Sequence, residues 1–276
     1  MLLGPFVDTA WLAAHREQVL LADVRWYLDG QSGQAAYDVG HLAGAVFVDV
    51  DTDLSVHDRP QDGRHPLPSP EQFARAMSSL GIGDDTVVVA YDDAGGVTAA
   101  RLVWMLRSTG HAATLLDGGM GAGPLSVDHP VAGPTVFTAS PWPALASLND
   151  VTAPEAVVLD ARPRERFRGD GPDPVDPRAG HVPGARNVPC RENLDAAGRL
   201  LPVEVLRERF RTAGAVPGAD VVSSCGSGVT ACHTLLALEH AGLGPARLFP
   251  GSWSQYSRTD LPAETGPGPV DTTWPA

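Results

Sequence analysis

A β-branched run, Val221-Val222-Ser223, continues through Ser224 into Cys225-Gly226-Ser227-Gly228-Val229-Thr230, and a helical pattern from Ala231 to His240 follows, closed by Gly242. A glycine-rich turn between a strand and a helix gathers backbone N–H groups and the positive helix end around the first side chain of the loop. When that side chain is a cysteine, the arrangement favours the thiolate, the nucleophilic form. A helix terminus alone is worth roughly 0.3–1 kcal/mol, or up to about 2 kcal/mol when partly buried, so several N–H groups have to act together. The glycines let the backbone come close to the sulfur. The plain alternative is a buried cysteine packed beside a tight turn; glycines at 226 and 228 argue against packing as its purpose.

Other cysteine chemistries lack their partners. Phosphatase-type loops need an arginine six residues after the cysteine to grip phosphate bidentately, and that position is Ala231. There is no Cys-x-x-Cys pair for a thioredoxin-type couple. The 20 basic residues are all arginine, against 33 Asp or Glu, for a net charge of −13. Without lysine, Schiff-base chemistry and lysine-bearing phosphate loops are excluded. Any cation at an active site has to be an arginine, a helix terminus or a backbone N–H group. The acidic balance opposes nucleic-acid and anionic-membrane binding. Three cysteines in 276 residues do not make a disulfide framework. The N-terminal MLLGPFVDTAW has neither the basic region nor the apolar run of a secretion signal. No apolar stretch is long enough for a bilayer, so a cytoplasmic protein is expected.

The elements that must position Cys225 are written twice along the chain. Leu21-Ala22-Asp23-Val24-Arg25 matches Leu159-Asp160-Ala161-Arg162 in kind, and Gly40-His41-Leu42-Ala43-Gly44-Ala45 matches Gly180-His181-Val182-Pro183-Gly184-Ala185. Asp93-Ala94-Gly95-Gly96-Val97-Thr98-Ala99 matches Cys225 to Ala231, and Leu116 to Met120 matches Phe249 to Trp253. Four pairs in one order mean duplication. The segment 124–146 holds five prolines and little periodicity and reads as a linker running across the surface. The expected domains are therefore 1–123 and 147–276. The first is expected to be catalytically silent, with Asp93 at the cysteine position and its carboxylate in the same N–H cradle. It carries a net −9 against −4 for the remainder, which holds all three cysteines. In both copies short apolar runs such as Val87-Val88-Val89-Ala90 alternate with helical patterns. Ser69-Pro70-Glu71 opens one helix and Gly81 closes it; Pro202 to Phe210, ended by Gly214, has the same grammar. This spacing implies parallel α/β domains. His41 and His181 sit in both copies and are expected to be structural, with Asp23, Arg25, Asp160 and Arg162 pairing at the strand ends. Cys232 is expected in the core, and Cys190 has no companion ligands.

With these pieces, and with DVRWYL (Asp23–Leu28), GHLAGAVFVDVD (Gly40–Asp51), RHPLP (Arg64–Pro68) and GHVPGARNVP (Gly180–Pro189), the chain resembles the two-domain rhodanese-type sulfurtransferases over essentially its whole length. The resemblance implies an α/β fold of two tandem rhodanese-like domains, each a small parallel sheet flanked by helices. It implies that Cys225 takes a sulfane sulfur as a persulfide and hands it to an acceptor. The acceptor would be a thiol such as thioredoxin or glutathione, or cyanide, with no metal and no organic cofactor. The CGSGVTA loop resembles the 3-mercaptopyruvate-using branch, whereas the thiosulfate branch carries Arg and Lys after the cysteine. Thiosulfate:cyanide sulfurtransfer, or a non-catalytic rhodanese-like module that binds a partner or senses oxidants, are the alternatives.

The resemblance also distributes roles. Gly226, Gly228, Val229 and Thr230 complete the cradle around the donor, and Arg166 binds the donor's carboxylate. A second arginine, in an E-P-R piece of many relatives, is missing: Asp173-Pro174-Val175 stands there, and Arg178 is the substitute considered. Ser227, His65 and Asp51 match a Ser–His–Asp relay that would move a proton during C–S cleavage. Arg164 and Arg168 are expected on a solvated, salt-bridged surface.

Overall fold

A computed structural model describes residues 3–131, 133 and 135–270. The chain forms two compact units: residues up to Val56 with Leu67–Pro143 and Ala196–Leu200, and His57–Pro66 with Ala144–Asp195 and Leu201 onward. These bounds differ from the expected domains at three places. Residues 57–66 belong to the second unit, 196–200 to the first, and the proline-rich stretch as far as Pro143 also belongs to the first. Most of that stretch lies on the surface, with Leu125, Val127, Val131 and Val136 exposed, but two of its aromatic residues anchor it. Phe137 is buried, its ring 5.4 Å from Phe73 and stacked 4.0 Å from His111. Trp142 Nε1 donates to the Pro68 carbonyl at 2.9 Å. Proline content marks where helices and strands stop, and says nothing of what the chain then packs against.

In the first unit the strands are β1 (Phe6–Val7), β2 (Leu20–Asp23), β3 (His41–Leu42), β4 (Ala45–Phe47), β5 (Val88–Tyr91), β6 (Ala113–Leu116) and β7 (Leu125–Ser126). β1-β6-β5-β2-β4 form one parallel sheet, and β3 and β7 a short antiparallel pair. In the second unit β8 (Val157–Asp160), β9 (Arg186–Asn187), β10 (Val221–Ser224) and β11 (Arg247–Leu248) form a parallel sheet in the order β11-β10-β8-β9. The helices are α1 (Thr9–His15), α2 (Gly33–Val39), α3 (Pro70–Ser79) and α4 (Ala100–Ser108), then α5 (Leu148–Val151), α6 (Arg164–Arg168), α7 (Val203–Thr212), α8 (Ala231–His240) and α9 (Ser252–Tyr256). α3 starts at Ser69 with a reciprocal capping box to Gln72 and proline at its first position. The central strands are buried throughout, as parallel strands covered on both faces must be. Leu21, Val89, Tyr91 and Leu116 build the first core. Val158, Phe167, Val222, Phe249 and Trp253 build the second.

The duplication extends to side-chain chemistry. In the first unit Arg25 Nη2 bonds Asp23 at 2.8 Å and the Gly40 carbonyl at 2.7 Å; in the second, Arg162 Nη2 bonds Asp160 at 2.7 Å and the Gly180 carbonyl at 2.8 Å. Each pair is buried and ties the end of a central strand to the turn that follows the next helix. In both turns a histidine lies flat on an aromatic ring, His41 on Tyr37 and His181 on Phe167, at 3.7 Å. Nδ1 of each lies 2.9 and 2.8 Å from a backbone carbonyl, which fixes the tautomer with hydrogen on that nitrogen. Burial pushes the His181 ring below the usual histidine range. These histidines hold turns together.

Candidate active site

β10 delivers Cys225 directly into the loop that opens α8, and the side chain is 1 % exposed. The Gly228 N–H donates to the Cys225 sulfur at 3.1 Å. Gly228 has φ +79°, and a Cβ there would lie 2.4 Å from the Pro250 carbonyl oxygen, so the loop closes on the sulfur only with glycine at this position. Cys232, in the first turn of α8, is fully buried and directs its thiol to the Gly228 carbonyl. Cys190 is also buried. Its thiol is pushed up to about 12, first by burial and then by the neighbouring charge of Cys225, and Thr230 bonds to it.

The other side of the loop is held by α9. Trp253 N–H donates to the Cys225 carbonyl at 3.0 Å and Ser254 N–H to the Gly226 carbonyl at 2.8 Å. Ser252 is the one non-glycine residue with positive φ, at +50°, among the described residues. Its Oγ accepts from the Cys225 N–H at 3.1 Å, donates to the Phe249 carbonyl at 2.9 Å, and lies 3.9 Å from the Cys225 sulfur. Loop reading from Cys225 outward misses this residue. The repeat holds its signal: Ser252 matches Gly119 of the first copy, which has φ +48°. A backbone conformation that glycine takes freely is kept in the second copy with a side chain.

The first copy supplies an internal comparison and a correction. The carboxylate in its loop is that of Asp92, not Asp93. Asp92 accepts from the N–H groups of Ala94, Gly96, Thr98 and Ala99 and from the Thr98 hydroxyl, all at 2.7–3.0 Å. Asp93 instead accepts from the Tyr27 hydroxyl at 2.6 Å. Strand pairing explains the shift. Tyr91 is opposite Asp23 and Ser224 is opposite Asp160, so the residues just past the strands are Asp92 and Cys225. The first loop has one extra residue before its glycine turn, and counting back from that turn lands on Asp93.

His65 and Ser227 meet: Nδ1 and Oγ share a hydrogen bond of 2.7 Å, and both residues are buried. Asp51, in the first unit, accepts from Trp26 Nε1 at 3.1 Å. Arg166, the middle residue of the short helix α6, donates to Asp173 at 3.0 Å and to Asp176 at 3.1 Å. Burial pushes the Asp173 carboxyl up, but the Val175 N–H, the Arg166 charge and the Asp176 N–H outweigh it and hold it below the usual carboxylate range. Arg178 does not face the loop: its three guanidinium nitrogens donate to the carbonyls of Ser257, Leu261 and Tyr256. Val175, at the position of the relatives' second arginine, is exposed. Arg164 pairs with Glu192 at the surface at 2.6 Å. Among the described residues no group of three or more His, Cys, Asp or Glu is placed to hold a metal ion, and no helix is long and apolar enough to cross a membrane.

The rhodanese-like domain model matches this sequence twice, over residues 7–122 and 145–259. A Pseudomonas aeruginosa protein named for 3-mercaptopyruvate sulfurtransfer is 40% identical over 86% of this chain and 89% of that protein. A Mycobacterium tuberculosis protein named for thiosulfate sulfurtransfer is 40% identical over 87% of this chain and 88% of that protein. The solved 3-mercaptopyruvate sulfurtransferase of Leishmania major is 32% identical, with a TM-score of 0.82 over 92% of this chain and 74% of that one.

Proposed function

The chain belongs to the rhodanese-like family and is a sulfurtransferase, and from that premise we propose that it takes sulfur from 3-mercaptopyruvate onto Cys225 and passes it to a thiol or to cyanide. The observation that carries this reading is the position of the Cys225 sulfur, 3.1 Å from the Gly228 N–H in a strand–loop–helix turn whose counterpart in the first unit binds a carboxylate. A backbone that satisfies a carboxylate in one copy suits a thiolate, and then a persulfide, in the other.

In the proposed cycle the Cys225 thiolate attacks the donor's sulfur. The thiolate's electron pair makes the S–S bond, the donor's C–S bond breaks, and the departing pair stays on carbon as the enolate of pyruvate. One proton completes pyruvate. Ser227 and His65, joined at 2.7 Å, are suited to bring it. The resemblance adds Asp51 to this pair, and the kinetics of Asp51→Asn judge its part. Arg166 offers the donor's carboxylate a guanidinium, while Arg178, spent on backbone carbonyls, drops out of the donor site. An acceptor such as thioredoxin, glutathione or cyanide attacks the outer sulfur and returns the Cys225 thiolate. Sulfur rides on the protein, so the cycle calls on no metal or organic cofactor. A cytoplasmic setting belongs to the same reading; three unbridged cysteines fit a reducing compartment.

Steady-state rates with 3-mercaptopyruvate and with thiosulfate test the donor. Preference for 3-mercaptopyruvate, lost in Ser227→Ala, is expected. A strong thiosulfate preference would put the chain with its Mycobacterium tuberculosis relative, the second reading.

A further inference from the structure

Two arginines from different segments converge beside the loop glycine that follows Cys225. A Cβ built on Gly226 would lie 3.0 Å from Arg64 Nη2 and 3.4 Å from Arg166 Nη1. Their arrangements match. Arg64 gives Nη1 to Asp176 and turns Nη2 to Gly226; Arg166 gives Nη2 to Asp176 and turns Nη1 to Gly226. Asp176 is fully buried, and the arginine side chains are 20% and 13% exposed. The backbone beneath Arg64 is fastened to the same loop, since Arg64 N–H donates to Ser254 Oγ at 3.0 Å while Ser254 N–H donates to the Gly226 carbonyl. Arg162 and Arg258 stand 3.9 Å from Asp173 and Asp176. Arg64, Arg162, Arg166 and Arg258 against Asp160, Asp173 and Asp176 leave one positive charge over.

We propose that Arg64 is the second arginine of the donor site: Arg64 and Arg166 together bind the donor's carboxylate beside Gly226, and Asp176 is the positioning residue that aims both. The proposal deepens the sulfurtransferase reading and rests on it for the identity of the donor. Two guanidinium groups held by one carboxylate at their far nitrogens present their near nitrogens ready-oriented, which suits a planar anion better than a lysine ammonium would. The pair restores on segment 57–66 the cation that Val175 does not supply. A side chain at 226 would fill the space that the two nitrogens face.

Two measurements on the full chain test this. In the first, Arg64→Gln raises KM for 3-mercaptopyruvate about 10- to 100-fold, the range expected for losing one charge-assisted contact, and by more than it lowers kcat. Asp176→Asn shifts KM in the same direction, and Arg64→Lys falls between. The second needs no sulfur donor. Iodoacetate and iodoacetamide differ in carrying and lacking a carboxylate, and their rates of alkylation at Cys225, read by peptide mass, are compared as a ratio that cancels general changes in fold or thiol reactivity. That ratio drops in Arg64→Gln if Arg64 attracts carboxylates to the site. An unchanged ratio with an unchanged KM overturns the proposal. If wild type takes sulfur from neither donor but the ratio still drops, the carboxylate site stands and the sulfur-transfer reading is what fails.

Discussion

Ser252 holds a left-handed backbone at φ +50° where its repeat partner is glycine, and its hydroxyl is what that strain supports. Ser252→Ala keeps the strain and strips the acceptor from the buried Cys225 N–H, a loss of about 1–3 kcal/mol. Ser252→Gly makes the same deletion while relieving the backbone. Thermal unfolding is therefore expected to order them wild type, Ser252→Gly, Ser252→Ala; the last two reversed would mean the backbone there is unstrained. At His65 and Ser227 the hydrogen bond makes the two side chains one unit. Either alanine substitution should lower kcat about 10²- to 10⁴-fold, and the double variant little further. Additive losses would separate their roles. Asp173 sets an acid limit. Its carboxyl lies below the usual range in the folded chain, so its contribution to stability is complete above about pH 4, the unfolded value. The contribution is lost as pH falls through the lower folded value. Asp173→Asn should remove that part of the acid dependence of unfolding.

The loop from β10 to α8 works as an element because Gly228 lets it fold back under Pro250. Gly228→Ala combines positive φ with a contact of 2.4 Å, whereas Gly218, at φ +84°, has nothing within 4 Å of its would-be Cβ. Gly218→Ala should cost only the left-handed term, about 1–2 kcal/mol, with sulfur loading intact. Gly228→Ala should cost more and abolish loading. This loop and its strand–helix frame were legible in the sequence, because β-branched runs, glycine turns and a repeated order of motifs are local signals. The register was not. Asp93 follows from counting back from Gly96, and Asp92 from which residues pair across the sheet, a long-range fact that local pattern does not carry. Ser252 was hidden for a related reason: it reaches Cys225 from 27 residues away, and only the glycine at its repeat position hints at the backbone it occupies.

At the scale of the molecule, duplication sets the two sheets, and exchange of short segments sets who owns the site. The segment 57–66, written in the first copy, belongs to the second unit and brings Arg64 and His65 with it. No periodicity announces that, since the stretch has neither helical nor strand pattern, and its RHPLP residues only mark it as worth watching. A chain restricted to 144–276 keeps the Cys225 loop and lacks both residues, so its kcat/KM for 3-mercaptopyruvate should fall by at least about 100-fold. The absence of lysine gains a concrete meaning at the same scale: in the proposed donor site every side-chain cation is an arginine, and Arg64 and Arg166 both pair with the buried Asp176. The central claim, that Cys225 carries the sulfur, is tested most directly by intact-mass measurement after incubation with 3-mercaptopyruvate and removal of excess donor. Wild type should gain the mass of one sulfur atom, lose it again on adding cyanide or a thiol, and show no gain as Cys225→Ser. A wild-type chain that gains no sulfur from 3-mercaptopyruvate or thiosulfate, or a Cys225→Ser chain that does, would contradict the account.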